Sequence, residues 1–289
     1  MTRVNITYFL ILITWYIIYI IFMIYLYFRY SRPYKVKKMS KYYKDIPEKL
    51  NPTELSMLIY HKITPSTLSA TIAYLIEQGL VIRDGNILRK IESEQLLSTS
   101  QNSAIEILFD VLGDGKKVDV TKIDGFCHSN STATDYLLAY DIWNNLALRE
   151  ASNKQFYVQK LDYELVRWFQ IIGYVLAVLN FVFGIHNVMG YVIVLPAYFI
   201  LQYFYKTYKR TREYNEEFYK WLGFGNYLAT FSSKDEMNVN HSTALVYSLI
   251  LDKVSHTEQV LRNEQFLTNL DKSLQKCYRK AFFFGNRKI

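Results

Sequence analysis

Cysteine is scarce, with two among 289 residues, which excludes a disulfide-stapled secreted scaffold carrying an even ladder of them. Eleven glycines and five prolines are too few for a collagen-like or low-complexity chain. Charged residues make up only 21%, against 51% hydrophobic and 17% aromatic, a balance too apolar for disorder. Burial must therefore hold the fold together. The charges are also unevenly spread: two long blocks have none, and those blocks predict a mainly α integral membrane protein.

Val4 to Phe28 is 25 residues without Asp, Glu, Lys or Arg, about 37 Å as a helix and longer than the ~30 Å hydrocarbon core. It is too long for a signal-peptide core, and Tyr27-Phe28-Arg29-Tyr30 offers no small-residue cleavage site, so an anchor over 4–28 is expected. Arg3 alone precedes it, whereas Arg29, Arg32, Lys35, Lys37, Lys38, Lys41 and Lys44 follow, which places the N-terminus outside. The second block, Trp168 to Tyr205, has 38 residues and would reach about 57 Å as one helix, so it must turn back. Gly184-Ile185-His186-Asn187 marks the turn between spans at 165–184 and 187–205, with Pro196 kinking the latter. Arg149, Lys154, Lys160 and Arg167 before the block, and Lys206, Lys209, Arg210 and Arg212 after it, keep both ends cytoplasmic. The alternative is a re-entrant hairpin, because 168–183 is only 16 residues. The expectation is a multi-pass cell-membrane protein with its main soluble region and C-terminus in the cytoplasm.

The linker 29–50 holds eight Lys/Arg against Asp45 and Glu48, fixing orientation and attracting anionic lipid headgroups at about 1 kcal/mol per basic residue. Lipid contact is assigned to Arg29, Arg32, Lys35, Lys37 and Lys38. Within the tail 206–289, Leu267, Leu270, Leu274, Cys277 and Ala281 form an apolar stripe, with Lys272, Lys276, Arg279 and Lys280 elsewhere on the helix. That stripe suits either the bilayer surface, with these four basic residues at the headgroups, or packing on the soluble region.

Residues 51–164 read as a winged-helix-like region. Asn51-Pro52-Thr53-Glu54 combines an N-cap, a proline at the first helical position and a glutamate reaching back. Thr64-Pro65 repeats the start, and Leu68, Ile72, Leu75 and Ile76 recur at helical spacing until Gly79 stops the helix. Leu80-Val81-Ile82, Asp84-Gly85-Asn86 and Ile87-Leu88 then read as a β-hairpin. A looser second copy is suggested by a helix over Ser103 to Leu112, a strand at Val118 to Val120 and a helix over Ser131 to Asn144. Leu146-Ala147-Leu148-Arg149 and Phe156-Tyr157-Val158 would be its wing. Pro65 to Gln78 contains no Lys or Arg and includes Glu77, which argues against nucleic-acid binding by this helix.

No catalytic, metal or cofactor signature is found. The histidines 61, 128, 186, 241 and 256 show no ligand spacing, and the neighbours Cys127 and His128 cannot readily face one metal. Gly113-Asp114-Gly115-Lys116-Lys117 lacks the spacing of a phosphate loop and reads as a turn. The two uncharged blocks hold no Asp, Glu, Lys or Arg of the kind expected in a transport pathway, and Asn180 and His186 are the weak candidates that remain.

Pro47-Glu48-Lys49-Leu50-Asn51-Pro52-Thr53-Glu54, Leu68-Ser69-Ala70-Thr71-Ile72-Ala73-Tyr74-Leu75 running into Gly79-Leu80, and Gly223-Phe224-Gly225-Asn226-Tyr227-Leu228 resemble the domain-of-unknown-function 2207 family over most of residues 29–260. The resemblance implies a bacterial membrane protein with a helical cytoplasmic region and no catalytic residue to carry over. Typical members have a large extracytoplasmic domain before the first span, which is not expected here. The family's Leu-Pro-Tyr-Ala-like stretch is present only as Leu245-Val246-Tyr247-Ser248. The functional expectation is a membrane-anchored interaction or scaffold module that binds lipid and either a protein partner or a second copy, not an enzyme. The alternatives are a membrane-tethered nucleic-acid regulator, or an enzyme or transport component with an unrecognised site.

Overall fold

The computed structural model describes residues 3–36, 40–91, 96–160, 162–182, 204, 206–233, 239–261 and 265–285. The chain divides into two units, Met1–Lys35 with Tyr157–Arg212, and Val36–Phe156 with Glu213–Ile289.

The first unit is built on α1 (Arg3–Leu26), which contains no glycine or proline and no charged residue after Arg3. It runs into a π-helical turn, Tyr27–Ser31, closed by the Arg32 N–H donating to the Tyr27 carbonyl at 2.8 Å. A later helix of this unit, Tyr163–Val182, becomes α7 in chain order. Phe169 stacks on Phe22 at 4.0 Å and on Trp15 at 5.3 Å, while Asp162 meets Tyr30, so α7 runs antiparallel to α1. Tyr19, Phe22, Leu26, Tyr30, Val166 and Phe204 form the buried seam. The opposite face of α1 is bare: Leu10, Ile11, Ile17, Ile21 and Ile24 are each more than half exposed, more contiguous aliphatic surface than a helix in water normally presents.

Ile13–Ser31, 19 residues at mean hydropathy 1.4, is the one candidate membrane span among the described residues, where three were expected. α7 covers most of the second expected span, but Glu164, Arg167, Gln170 and Asn180 interrupt its apolar run. The third expected span, its preceding turn and Pro196 lie outside the described residues.

The second unit is mainly helical. Its first helices are α2 (Pro52–Tyr60) and α3 (Pro65–Glu77). At α2 the Asn51 side chain accepts from the Glu54 N–H at 2.8 Å and the Glu54 carboxylate accepts from the Asn51 N–H at 3.0 Å, the reciprocal cap that the residue types predict. α3 ends at Gly79, whose φ of +73° is left-handed, as the Leu80 N–H returns to the Leu75 carbonyl at 2.9 Å. β1 (Val81–Asp84) and β2 (Ile87–Lys90) pair antiparallel across Gly85-Asn86, with Asp84 opposite Ile87.

α4 (Thr99–Glu106) continues as a π-helical turn, Ile107–Val111, and the chain returns in β3 (Lys117–Asp119). β3 adds to β2 with Val118 opposite Leu88, completing a three-stranded antiparallel sheet in the order β1-β2-β3. The expected second copy is therefore corrected: the strand placed at Val118 to Val120 extends the first hairpin. Leu146-Ala147-Leu148-Arg149 is helical, inside α6 (Asn130–Ser152), because Ala133, Tyr136, Tyr140, Trp143, Ala147 and Ala151 keep one buried stripe running past Asn145. α5 (Val120–Phe126) precedes it.

After the first unit's α7 come α8 (Arg212–Leu228), α9 (His241–Ile250), α10 (Val254–Val260) and α11 (Phe266–Gly285). α9 is buried from Ala244 to Ile250, as its apolar sequence implies. α11 packs on α3, α5 and α6 and buries Leu267, Leu270, Leu274, Cys277 and Ala281, so this apolar stripe is used inside the unit. The buried Glu258 carboxylate accepts from the Leu267 and Thr268 N–H groups at 2.8 and 3.0 Å, capping the start of α11. Cys277 is bonded to Cys127 at 2.06 Å, tying α11 to the α5–α6 turn. Residues 40–50 lie along α8: Tyr43 N–H donates to the Gly223 carbonyl at 3.1 Å and the Asn226 amide donates to the Lys41 carbonyl at 3.1 Å.

Candidate membrane-proximal site

The end of α1 alternates aromatic and basic residues, Tyr27-Phe28-Arg29-Tyr30-Ser31-Arg32-Pro33-Tyr34-Lys35, and 206–212 repeats the alternation. The first unit brings the two together. Ser31 and Thr207 hydroxyls are 3.3 Å apart, and the Lys209 ammonium donates to the Phe28 carbonyl at 3.1 Å while lying 4.1 Å from the Tyr34 ring. Lys209 is thus buried without leaving its charge unsatisfied. The Val158 N–H donates to the Lys209 carbonyl at 2.8 Å, and Tyr157 bridges Arg210, so a third segment, 157–160, joins them.

On that third segment the Lys160 ammonium donates to the Phe204 carbonyl and faces the rings of Phe204 and Tyr208 at 4.7 and 4.5 Å. Burial pulls its pKa down to about 8. Asp162 accepts from Tyr30 at 2.7 Å and from Tyr25 at 3.1 Å, pinning the start of α7 to the end of α1. Arg32 lies 5.1 Å from the Phe28 ring, and Arg29, Arg32, Lys35 and Lys206 are exposed. The result is a collar of cations and aromatic rings at one end of the candidate span, the composition found where a helix leaves a bilayer.

Of the residues assigned to lipid from sequence, Arg29, Arg32 and Lys35 belong to this collar, and Lys37 and Lys38 lie outside the described residues. The sequence assignment omitted Lys160, Lys206, Lys209 and Arg210, although their basic-aromatic spacing was a readable signal. The four basic residues of α11 are in the other unit. Lys276 and Lys280 both bind Asp124, and the Lys276 ammonium foremost holds that carboxyl below the usual carboxylate range. Lys280 also reaches the Asp124 carbonyl at 3.0 Å, and Arg279 donates to Gln275 at 3.1 Å.

The chain belongs to the DUF2207 family. The model of that family, described as predicted membrane protein (DUF2207) C-terminal domain, matches residues 39–252. No curated protein and no solved structure matches the chain. The matched residues include α2, α3 and the Gly223-Phe224-Gly225 motif, and the family's description as a predicted membrane protein assigns no activity.

Within that family region, α3 packs against α2, α9 and α11, and none of its residues is exposed. Ser69 donates to Asp271 at 2.7 Å, and Thr243 donates to Glu77. A cavity of about 260 Å³ remains beside it, lined by Ala73, Ile76, Glu77, Arg83, Leu245 and Phe266 among others, smaller than most ligand pockets. Gly113 to Lys117 forms a turn, with the Asp114 carboxylate accepting from the Lys116 and Lys117 N–H groups at 3.1 and 2.9 Å. No group of three or more His, Cys, Asp or Glu able to hold a metal occurs among the described residues.

Proposed function

We propose that this DUF2207 member is a membrane-anchored interaction module. In this reading α1 crosses the bilayer with its N-terminus outside. The helical unit, with α2, α3 and the hairpin as a winged-helix-like part, works on the cytoplasmic side and binds a protein partner or a second copy.

The enclosure of α3 carries the choice of partner class. A helix that reads a DNA groove must present one face to it. α3 has its faces on α2, α9 and α11, so nucleic-acid binding through this helix would require the unit to come apart. On α6, by contrast, Leu138 and Ile142 lie one turn apart and are 62% and 51% exposed, opposite the buried stripe that begins at Ala133. An exposed apolar pair on a rigid helix fits protein contact.

The test is quantitative capture of the full chain from detergent-solubilised membranes, beside a Leu138→Asp, Ile142→Asp variant. A stoichiometric partner or a defined oligomer that the variant loses while keeping its melting temperature supports the proposal. A monomer that retains no partner, or salt-dependent DNA binding in a gel shift, overturns it.

A further inference from the structure

We propose that the collar of the first unit is a binding site for the phosphate headgroups of anionic phospholipids, assembled by the fold from three separated segments. It rests on the reading that Ile13–Ser31 is membrane-spanning. A polybasic linker attracts anionic lipid through charge alone, wherever its lysines fall in sequence. The collar differs because Lys160, Lys209 and Arg210 are fixed by tertiary contacts, with Lys160 on Phe204 and Tyr208 and Lys209 on Phe28 and Tyr34.

Lys209, which is buried, and Lys160, which is half-buried, are held against carbonyl oxygens and ring faces, which orders the aromatic rings. Arg32, Lys35 and Lys206 are exposed beside Tyr27, Phe28 and Tyr34, while the exposed Arg29 is hydrogen-bonded to Tyr30. Guanidinium and ammonium groups bind phosphate oxygens, and the amphipathic rings favour headgroup depth. The acidic residues of these segments are Asp162, already accepting from Tyr25 and Tyr30, and Glu164 at the first turn of α7. The charge balance therefore favours an anion, and continuity with the span places that anion in a lipid.

The experiment uses the full chain in a neutral detergent, titrated with phosphatidylglycerol or phosphatidylcholine and read by native mass spectrometry as the affinity of the first bound lipid. Wild type should prefer phosphatidylglycerol at least tenfold. Arg32→Gln with Lys206→Gln should lower that affinity about thirtyfold, from about 1 kcal/mol per basic residue near the surface and 1.4 kcal/mol per tenfold. Phosphatidylcholine binding should be unchanged. Lys41→Gln with Lys44→Gln, which removes the same charge from the linker, should cost threefold or less. Equal affinity for the two lipids, or an equal loss in both double variants, overturns the assembled site. A chain that stays in solution without detergent overturns the spanning reading beneath it.

Discussion

Gly223 and Gly225 are two residues apart in one motif and meet different surroundings. A methyl group on Gly223 would lie 3.1 Å from the Cβ of Tyr43, where residues 40–50 cross α8, whereas one on Gly225 would make ordinary contact with Leu251 at 3.7 Å. Gly223→Ala should therefore destabilise the second unit by about 1–3 kcal/mol through overpacking. Gly225→Ala should be neutral or stabilising by up to about 1 kcal/mol through helix propensity. Thermal melts of both variants in detergent check the contrast. Lys160 gives a second residue-scale prediction. Its folded pKa of about 8 is below the ordinary lysine value of about 10.4, so between these the unfolded chain binds more protons and stability rises with pH. Melts from pH 7 to 10 should show that rise in wild type and a smaller one in Lys160→Met. The capping residues Asn51 and Glu54 were legible because their partners are local in sequence. Asp162 and Lys160 were not, because Tyr30 and Phe204 meet them only through tertiary contacts.

Among the elements, α2, α3 and the β1–β2 hairpin follow directly from caps, period and turn residues. Asn51→Ala should cost about 1 kcal/mol, since both reciprocal hydrogen bonds at the start of α2 depend on that side chain or on the order it imposes. Urea unfolding of the wild type and variant measures it. α6 shows where local signals mislead. Asn145 resembles a left-handed helix stop, but Trp143 and Ala147 on either side are fully buried, and their packing carries the helix through to Ser152. α11 illustrates a different ambiguity: its amphipathic stripe was plain in the sequence, yet the pattern could not say whether the apolar face meets lipid or protein. In the fold that face meets α3, α5 and α6.

For the whole molecule, two cysteines 150 positions apart gave no spacing from which to read a pair, and packing of α11 on the α5–α6 turn unites them. When the Cys127–Cys277 bond is formed it constrains the unfolded chain, typically by about 2–4 kcal/mol. Reductant should lower the melting temperature of the purified oxidised protein and leave Cys277→Ser unaffected. A cytoplasmic setting keeps such pairs largely reduced, so redox state and membrane orientation are linked expectations.

Orientation is tested most directly by labelling exposed Asn102, changed to cysteine in a Cys127→Ser, Cys277→Ser background, with a membrane-impermeant maleimide on bacterial cells. The anchored, cytoplasmic account predicts protein in the membrane fraction that is unlabelled in intact cells and labelled after permeabilisation. Labelling in intact cells, or recovery of the chain in solution without detergent, would contradict it.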